Sequence, residues 1–176
     1  MLKLTKHDAA RLQLKTAIRL FFEERDPVSI HTLASADQEV FRDLLRARGI
    51  PSPSIKDTDR VKPEYKKLWL QAMNREQNFL KHADRDPDEI LVFNPDIVPY
   101  VLYDDAVMYA KLTGGRMIRE GAAFGMWFML KNPQFLKSES LPVDRAQFEA
   151  ARAHVNNRKA FLAMLDLREF FWPGLD

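Results

Sequence analysis

The chain has 176 residues, 46% of them hydrophobic and 30% charged, with 27 Lys and Arg against 25 Asp and Glu. A chain of this length buries enough surface to fold without a disulfide or a structural metal, and it contains no cysteine. Thiol nucleophiles, CxxC redox pairs, iron–sulfur clusters and cysteine-ligated zinc are therefore excluded. We expect a single domain spanning residues 1–176.

The charge balance and the short apolar runs indicate whether the protein binds nucleic acid and whether it crosses a membrane. A formal net charge of +2 is too small for the broad positive field of non-specific DNA binding. We therefore expect no extended DNA-binding face, and contact with RNA would need a local basic site. The longest apolar run, Ala122 to Leu130, has half the length of a membrane span, and the N-terminal segment is charged. The sequence predicts a cytoplasmic protein without a membrane partner.

Apolar residues recur at helical spacing along the chain, and Pro, Gly and capping residues separate the repeats. Residues 90–93 (ILVF) are expected to form an extended loop, because no other segment offers a strand to pair with them. The pattern predicts an all-α bundle of about six helices with short turns. The approximate helix positions are Lys6 to Glu24, Ser29 to Gly49, Pro63 to the residue before Pro87, Asn94 or Pro99 to Gly114, Arg116 to Leu130, and Asp144 to Glu169 with a candidate break at Asn156 and Asn157.

Three polar residues of the third predicted helix form the main candidate catalytic site. Arg75, Asn78 and His82 are spaced i, i+3 and i+7, so their side chains fall within about 60° of one another on a helix. An arginine can bind phosphoryl oxygens, and a histidine can accept or donate a proton near neutral pH. Asn78 could orient either partner. This combination suits phosphate chemistry.

The segment from Arg75 to His82 (REQNFLKH) resembles the RxxxxxxH signature of the HEPN superfamily of helical RNases and nucleotide-binding proteins. The resemblance implies a metal-independent endoribonuclease, toxin-like or phage-defence-like, that acts as a dimer with two motifs brought together. Family members commonly have Asn, Asp or His after the arginine, whereas this chain has Glu76. A second match, Arg25 to His31, crosses Pro27 and cannot lie on one continuous helical face.

A structural interpretation of the same residues is also open. Near the end of a helix, His82 and Asn78 would satisfy the last carbonyl groups, and Arg75 would pair with an acid of another helix. Asp37 and Asp105 are candidate acids, because each falls on the apolar stripe of its own helix and a buried acid needs a partner. We therefore expect Asp37 or Asp105 to contact Arg75, His31 or His82.

The segment His82 to Glu89 (HADRDPDE) collects one imidazole and four carboxylates, which raises a third interpretation, a metal-dependent helical-bundle enzyme. No glycine supplies the sharp turn of a calcium loop, and no HxxxH or HxxE pair is present. We expect no metal site and no cofactor.

Two strings, DPVSIHTLA at residues 26–34 and NFLKHADRDP at residues 78–87, resemble those of small bacterial proteins without an assigned activity. The resemblance implies a bacterial origin and suggests that His31 and His82 belong to one site. The leading interpretation is a small helical binding module that self-associates or binds a protein partner. The alternative is a HEPN-like ribonuclease that uses Arg75, Asn78 and His82.

Overall fold

A computed structural model of the protein describes residues 1–84, 86–136 and 145–166. Helices account for all regular structure in these ranges, and no strand occurs in them, which confirms the all-α prediction. Residues 90–93 belong to neither a helix nor a strand. The α-helices are α1 (Lys6–Phe22), α2 (Pro27–Ala47), α3 (Lys66–Met73), α4 (Arg75–Lys81), α5 (Val98–Leu112), α6 (Arg119–Lys131), α7 (Arg145–Arg152) and α8 (Arg158–Asp166).

The described ranges hold eight α-helices rather than about six, because two predicted helices are each divided. The third predicted helix is interrupted at Asn74, whose backbone (φ −106°, ψ 5°) leaves the helical region. Asparagine favours such breaks because its side chain competes for nearby backbone groups. The last predicted helix is divided into α7, which ends at Arg152, and α8, which begins at Arg158, so the break spans residues 153–157 and includes the predicted Asn156 and Asn157. Asp144 and residues 167–169 lie outside the described residues.

Local capping explains where the first two helices begin. The Thr5 hydroxyl accepts a hydrogen bond from the amide of Asp8 at 3.0 Å, and the Asp8 carboxylate accepts one from the amide of Thr5 at 3.1 Å. Asp26 caps α2 by accepting from the amide of Ser29 at 2.8 Å, and Pro27 occupies the first helical position. The helix therefore begins two residues before Ser29, where the sequence pattern predicts its start.

The core lies where α1, α2, α5 and α6 meet, with α8 packed against α1 and α6. Glu120 of α6 is buried and accepts a hydrogen bond from Arg19 of α1 at 2.8 Å, so an ion pair crosses the interface of these two helices. Aromatic rings fill the space between α1, α6 and α8 with edge and stacked contacts. The rings involved are Phe21, Phe22, Phe124, Trp127 and Phe161.

We call residues 58–94 the arm. Along the chain, the arm lies between two short 3-10 helices, Ile55–Asp57 and Pro95–Ile97. The arm carries α3 and α4. None of its described residues is buried, whereas Lys56 before it and Val98 after it are buried. The arm therefore lies on the surface of the bundle, and its Phe93 packs, partly buried, against the core.

The end of α1 contains the one described non-glycine residue with a positive φ. Glu24 has φ 58° and follows the last turn of α1. Its amide donates to the carbonyl of Phe21 at 3.1 Å, and the amide of Arg25 donates to the carbonyl of Leu20 at 3.0 Å. These two bonds form a Schellman motif, in which the left-handed position favours glycine.

Replacing Glu24 with glycine should therefore stabilise the fold. We expect Glu24→Gly to raise the free energy of unfolding by about 1 kcal/mol, because glycine adopts the left-handed conformation without a steric penalty. Urea unfolding followed by circular dichroism measures the change. Glu23→Gly is the matched control, and it should lower stability, because Glu23 has a right-handed backbone. Equal effects of the two substitutions would contradict the interpretation.

Candidate functional site

A polar cluster lies where the arm meets α2. The side chain of Lys56 is buried, and its Nζ donates to Glu39 Oε1 at 2.8 Å and to Gln77 Oε1 at 3.2 Å. The guanidinium of Arg42 donates to Asp57 through Nε at 2.9 Å and to Glu39 through Nη1 at 2.9 Å. These bonds join α2, the 3-10 helix before the arm, and α4.

The charges of this cluster are mutually compensated. Burial would raise the pKa of Glu39, but hydrogen bonding and attraction from Lys56, together with Arg42, outweigh burial and lower it. The hydrogen bond from Arg42 lowers the pKa of Asp57. Both carboxyl groups are therefore held in the ionised form, so this part of the cluster is suited to binding the arm rather than to proton transfer.

Asp104 of α5 attaches the segment before the arm to the core. Its carboxylate accepts hydrogen bonds from the Ser54 hydroxyl at 2.7 Å, from the Ile55 amide at 3.1 Å and from Gln38 Nε2 at 3.0 Å. Burial raises the pKa of Asp104, although these three donors oppose the rise. The segment before the arm is thereby connected to both α2 and α5.

His31 lines a small cavity beneath the arm, together with Ser35, Lys56, Met73 and Asp104 among others. The Ser35 hydroxyl lies 3.2 Å from His31 Nδ1, and the ring meets Phe93 of the arm edge-on at 5.5 Å. Burial lowers the pKa of His31, which favours the neutral imidazole. The cavity holds about 50 Å³, far less than the roughly 300 Å³ of a small-molecule site, so it is of the size of bound water.

Asp37 and Asp105 are fully buried and lie against each other between α2 and α5. None of their four carboxyl oxygens accepts a hydrogen bond from a donor among the described residues. Burial raises the pKa of both carboxyl groups, and the neighbouring Asp37 raises that of Asp105 further. Two adjacent carboxyls in this setting share a proton, which supplies the missing donor.

The expected contact of these two acids with a basic residue is not found in the described part of the structure. Asp37 and Asp105 pair with each other, and His31 contacts Ser35. Helical periodicity indicates which face of a helix is apolar, but the contact between two faces depends on how the helices are rotated and packed.

Arg75 and Asn78 lie on α4, and His82 directly follows its last residue, at the surface of the arm. Arg75 is the first residue of the helix, and the amide of His82 donates to the carbonyl of Asn78 at its end. The side chains of Arg75 and His82 are 59% and 40% exposed, and their nearest acids are Glu89 at 3.7 Å and Asp84 at 3.9 Å. Asn78 is also exposed, and no contact between His82 and His31 occurs among the described residues.

Sequence reasoning missed the polar cluster. Lys56 and Asp57 belong to a segment rich in proline and serine, which gives no periodic signal for burial. Asp104 precedes Asp105, and the helical pattern identified only the latter as buried. A lysine that follows Pro, Ser and Ile in an irregular connection carries no local signal of a buried ion pair.

Two larger depressions lie elsewhere on the bundle. An apolar groove of about 330 Å³ is lined by Tyr103, Phe128 and Phe135 among others. A more polar pocket of about 430 Å³ lies at one end of the bundle, between the end of α6 and the start of α8. Within the described ranges, no three His, Asp or Glu side chains are grouped so that they could hold a metal ion. None of the described helices has the length and apolar character needed to cross a membrane.

Comparison with known protein families, with curated proteins and with solved structures found no match to this chain.

The buried acid pair should make stability depend on pH. Above the ordinary pKa of Asp, about 4, the unfolded chain releases a proton that the folded pair retains. The pair then holds more protons in the folded state, so its contribution to the free energy of unfolding falls as pH rises, by up to about 1.4 kcal/mol per pH unit for one proton. Urea unfolding at several pH values above about 4 measures this slope.

Asp105→Asn should reduce that slope, because the amide donates to Asp37 and replaces the shared proton. Asp43→Asn is the matched control in α2, since the Asp43 side chain is exposed and pairs with Arg46. The control should keep the slope of the original protein. Parallel pH profiles for the original protein and Asp105→Asn would show that the pair shares no proton.

Proposed function

We propose that this chain is a helical interaction module that self-associates, with a second copy of the chain covering the arm. The observation that carries the proposal is the complete lack of buried residues among the described residues of the arm. A segment with two helices ordinarily buries an apolar face of each. In the arm, apolar residues of both helices are only partly buried, and a partner would complete their burial.

The apolar residues of the arm support a covered surface. Large apolar side chains that face solvent together are typical of interaction sites, whereas single exposed ones are common. The arm holds two such pairs. Tyr65, directly before α3, and Leu68 of α3 form the first, and Ile90 and Val92, in the segment after α4, form the second. Their exposed fractions are 57% for Tyr65, 65% for Leu68, 85% for Ile90 and 86% for Val92.

The charges of the arm indicate that the partner is another copy. Residues 60–81 contain six basic and two acidic residues, whereas residues 84–94 contain four acidic and one basic residue. A two-fold axis brings the same surface of both copies together. The basic part of one arm can then face the acidic part of the other, and the same contact occurs twice. Such complementarity favours a copy of the chain over an unrelated partner.

Sedimentation velocity at increasing protein concentration tests the proposal. We expect a dimer that weakens as salt is added, because part of its free energy comes from exposed charges. Lys67→Glu and Asp88→Lys each place like charges across the axis and should raise the dissociation constant about tenfold, equivalent to about 1.4 kcal/mol. The double variant exchanges the two signs and should recover much of the affinity.

The matched control is Lys111→Glu, which reverses an exposed charge on α5 outside the arm and should leave the dimer unchanged. A chain that stays monomeric up to millimolar concentration would overturn the proposal. A dimer that responds equally to Lys67→Glu and to Lys111→Glu would place the interface elsewhere and would overturn it too.

A second function, a HEPN-like metal-independent ribonuclease, is favoured by the position of the Arg75 and His82 side chains on the accessible surface of the same arm. Neither side chain is held in a buried ion pair. In this proposal Arg75 binds the phosphodiester, His82 acts as general acid or base, and Asn78 orients one of them. Self-association through the arm would bring two such sets onto one surface.

Incubation of the purified protein with total RNA in EDTA tests this second proposal. Cleavage should persist in EDTA and should fall at least about a hundredfold in both Arg75→Ala and His82→Ala. His154→Ala is the control, because His154 is an exposed histidine in the turn between α7 and α8. The absence of cleavage by the dimer, or cleavage that survives both substitutions, would discard the ribonuclease.

A further inference from the structure

We propose that the polar pocket at the end of the bundle binds a small zwitterion that carries one carboxylate and one ammonium group, as free amino acids do. The pocket has a volume of about 430 Å³, within the range of small-molecule sites. Residues from the ends of α1 and α6 and the starts of α5 and α8 line it. It lies apart from the arm, so the inference does not depend on self-association.

Arg158 is the lining residue that we expect to bind the carboxylate of the ligand. Its guanidinium lies over the ring of Phe21 at 4.2 Å and near that of Trp127 at 5.7 Å. These rings hold the cation in place, yet no ion pair in the described part of the chain gives it a carboxylate. Arg158 also begins α8, where Asn157 caps the helix by accepting from the amide of Ala160 at 3.2 Å. A carboxylate at this position would meet a preformed cation.

Lys131 adds a second cation on the same lining. Its Nζ donates to Asn156 Oδ1 at 3.0 Å, a neutral partner that fixes the ammonium without cancelling its charge. Lys131 and Arg158 both lack a carboxylate within ion-pair distance among the described residues. Two uncompensated cations in one pocket indicate that the ligand carries a negative group.

The lining of the pocket also contains two carboxylates, Glu24 and Asp96. Neither forms an ion pair with the two cations of the pocket, so charges of both signs face the same space without neutralising each other. A purely anionic ligand would be repelled by the two carboxylates, and a purely cationic ligand by the two cations. A ligand with both charges matches the whole lining.

Glu24 carries a further indication. It occupies a left-handed position (φ 58°) where glycine would form the helix end without steric strain. The Glu24 carboxylate gives the pocket a negative charge, although a residue with a side chain is disfavoured in this backbone conformation. Strained residues of this kind are common where a side chain serves a ligand.

Isothermal titration calorimetry with three matched compounds tests the proposal. L-Phenylalanine carries both charges, 3-phenylpropanoate lacks the ammonium group, and 2-phenylethylamine lacks the carboxylate. The common ring offers the same contact to Tyr100 and Trp127, which line the pocket. We expect L-phenylalanine to bind and each analogue to bind at least about tenfold more weakly.

Substitutions in the pocket test whether ligand binding depends on its charged side chains. Arg158→Met should weaken L-phenylalanine binding at least about tenfold, and Arg152→Met should leave it unchanged, because Arg152 pairs with Glu149 outside the pocket. If Arg158→Met fails to fold, Arg158→Lys and Lys131→Met carry the test, with circular dichroism as the check. Equal binding of 3-phenylpropanoate, no binding at millimolar L-phenylalanine, or equal loss in Arg152→Met would overturn the proposal.

Discussion

The position of the arm depends on one buried ammonium group. Lys56 bonds to Glu39 of α2 and to Gln77 of α4, and removal of the Glu39 carboxylate would leave this buried ammonium group without an ion-pair partner among the described residues. Because no described residue of the arm is fully buried, the arm gains less from the hydrophobic effect than the core does. Polar contacts such as this one, and the bond from Trp69 Nε1 to the carbonyl of Ile55 at 3.2 Å, therefore fix where the arm lies.

The acid pair between α2 and α5 is buried without a cation to compensate it among the described residues, unlike the Lys56 cluster. Asp37 and Asp105 lie in the interface of two helices that pack closely, where two apolar side chains would avoid the desolvation of carboxyl groups. A shared proton reduces that cost, but it makes the interface sensitive to pH. The Lys56 cluster keeps its charges, whereas this pair is neutralised in part, because no cation contacts it among the described residues.

Local signals and long-range contacts differ in how far the sequence predicts them. The Thr5 and Asp8 pattern predicts the start of α1 because the capping bonds join residues three apart. Asn74 interrupts a run of apolar residues at helical spacing, and periodicity alone extends a helix across it. The contact of Asp37 with Asp105, and that of Lys56 with Glu39, join residues far apart in sequence. Such partners depend on helix packing, which periodicity does not contain.

If a second copy of the chain binds the arm, self-association and ordering of the arm are thermodynamically linked. A surface segment without buried residues opens at low free energy, since few apolar contacts are lost. A second copy that binds only the ordered arm stabilises it by mass action, so the order of the arm would increase with protein concentration. The core formed by α1, α2, α5 and α6 buries its own apolar side chains and needs no such help. The pocket near Arg158 lies on that core, so its ligand would bind monomer and dimer alike.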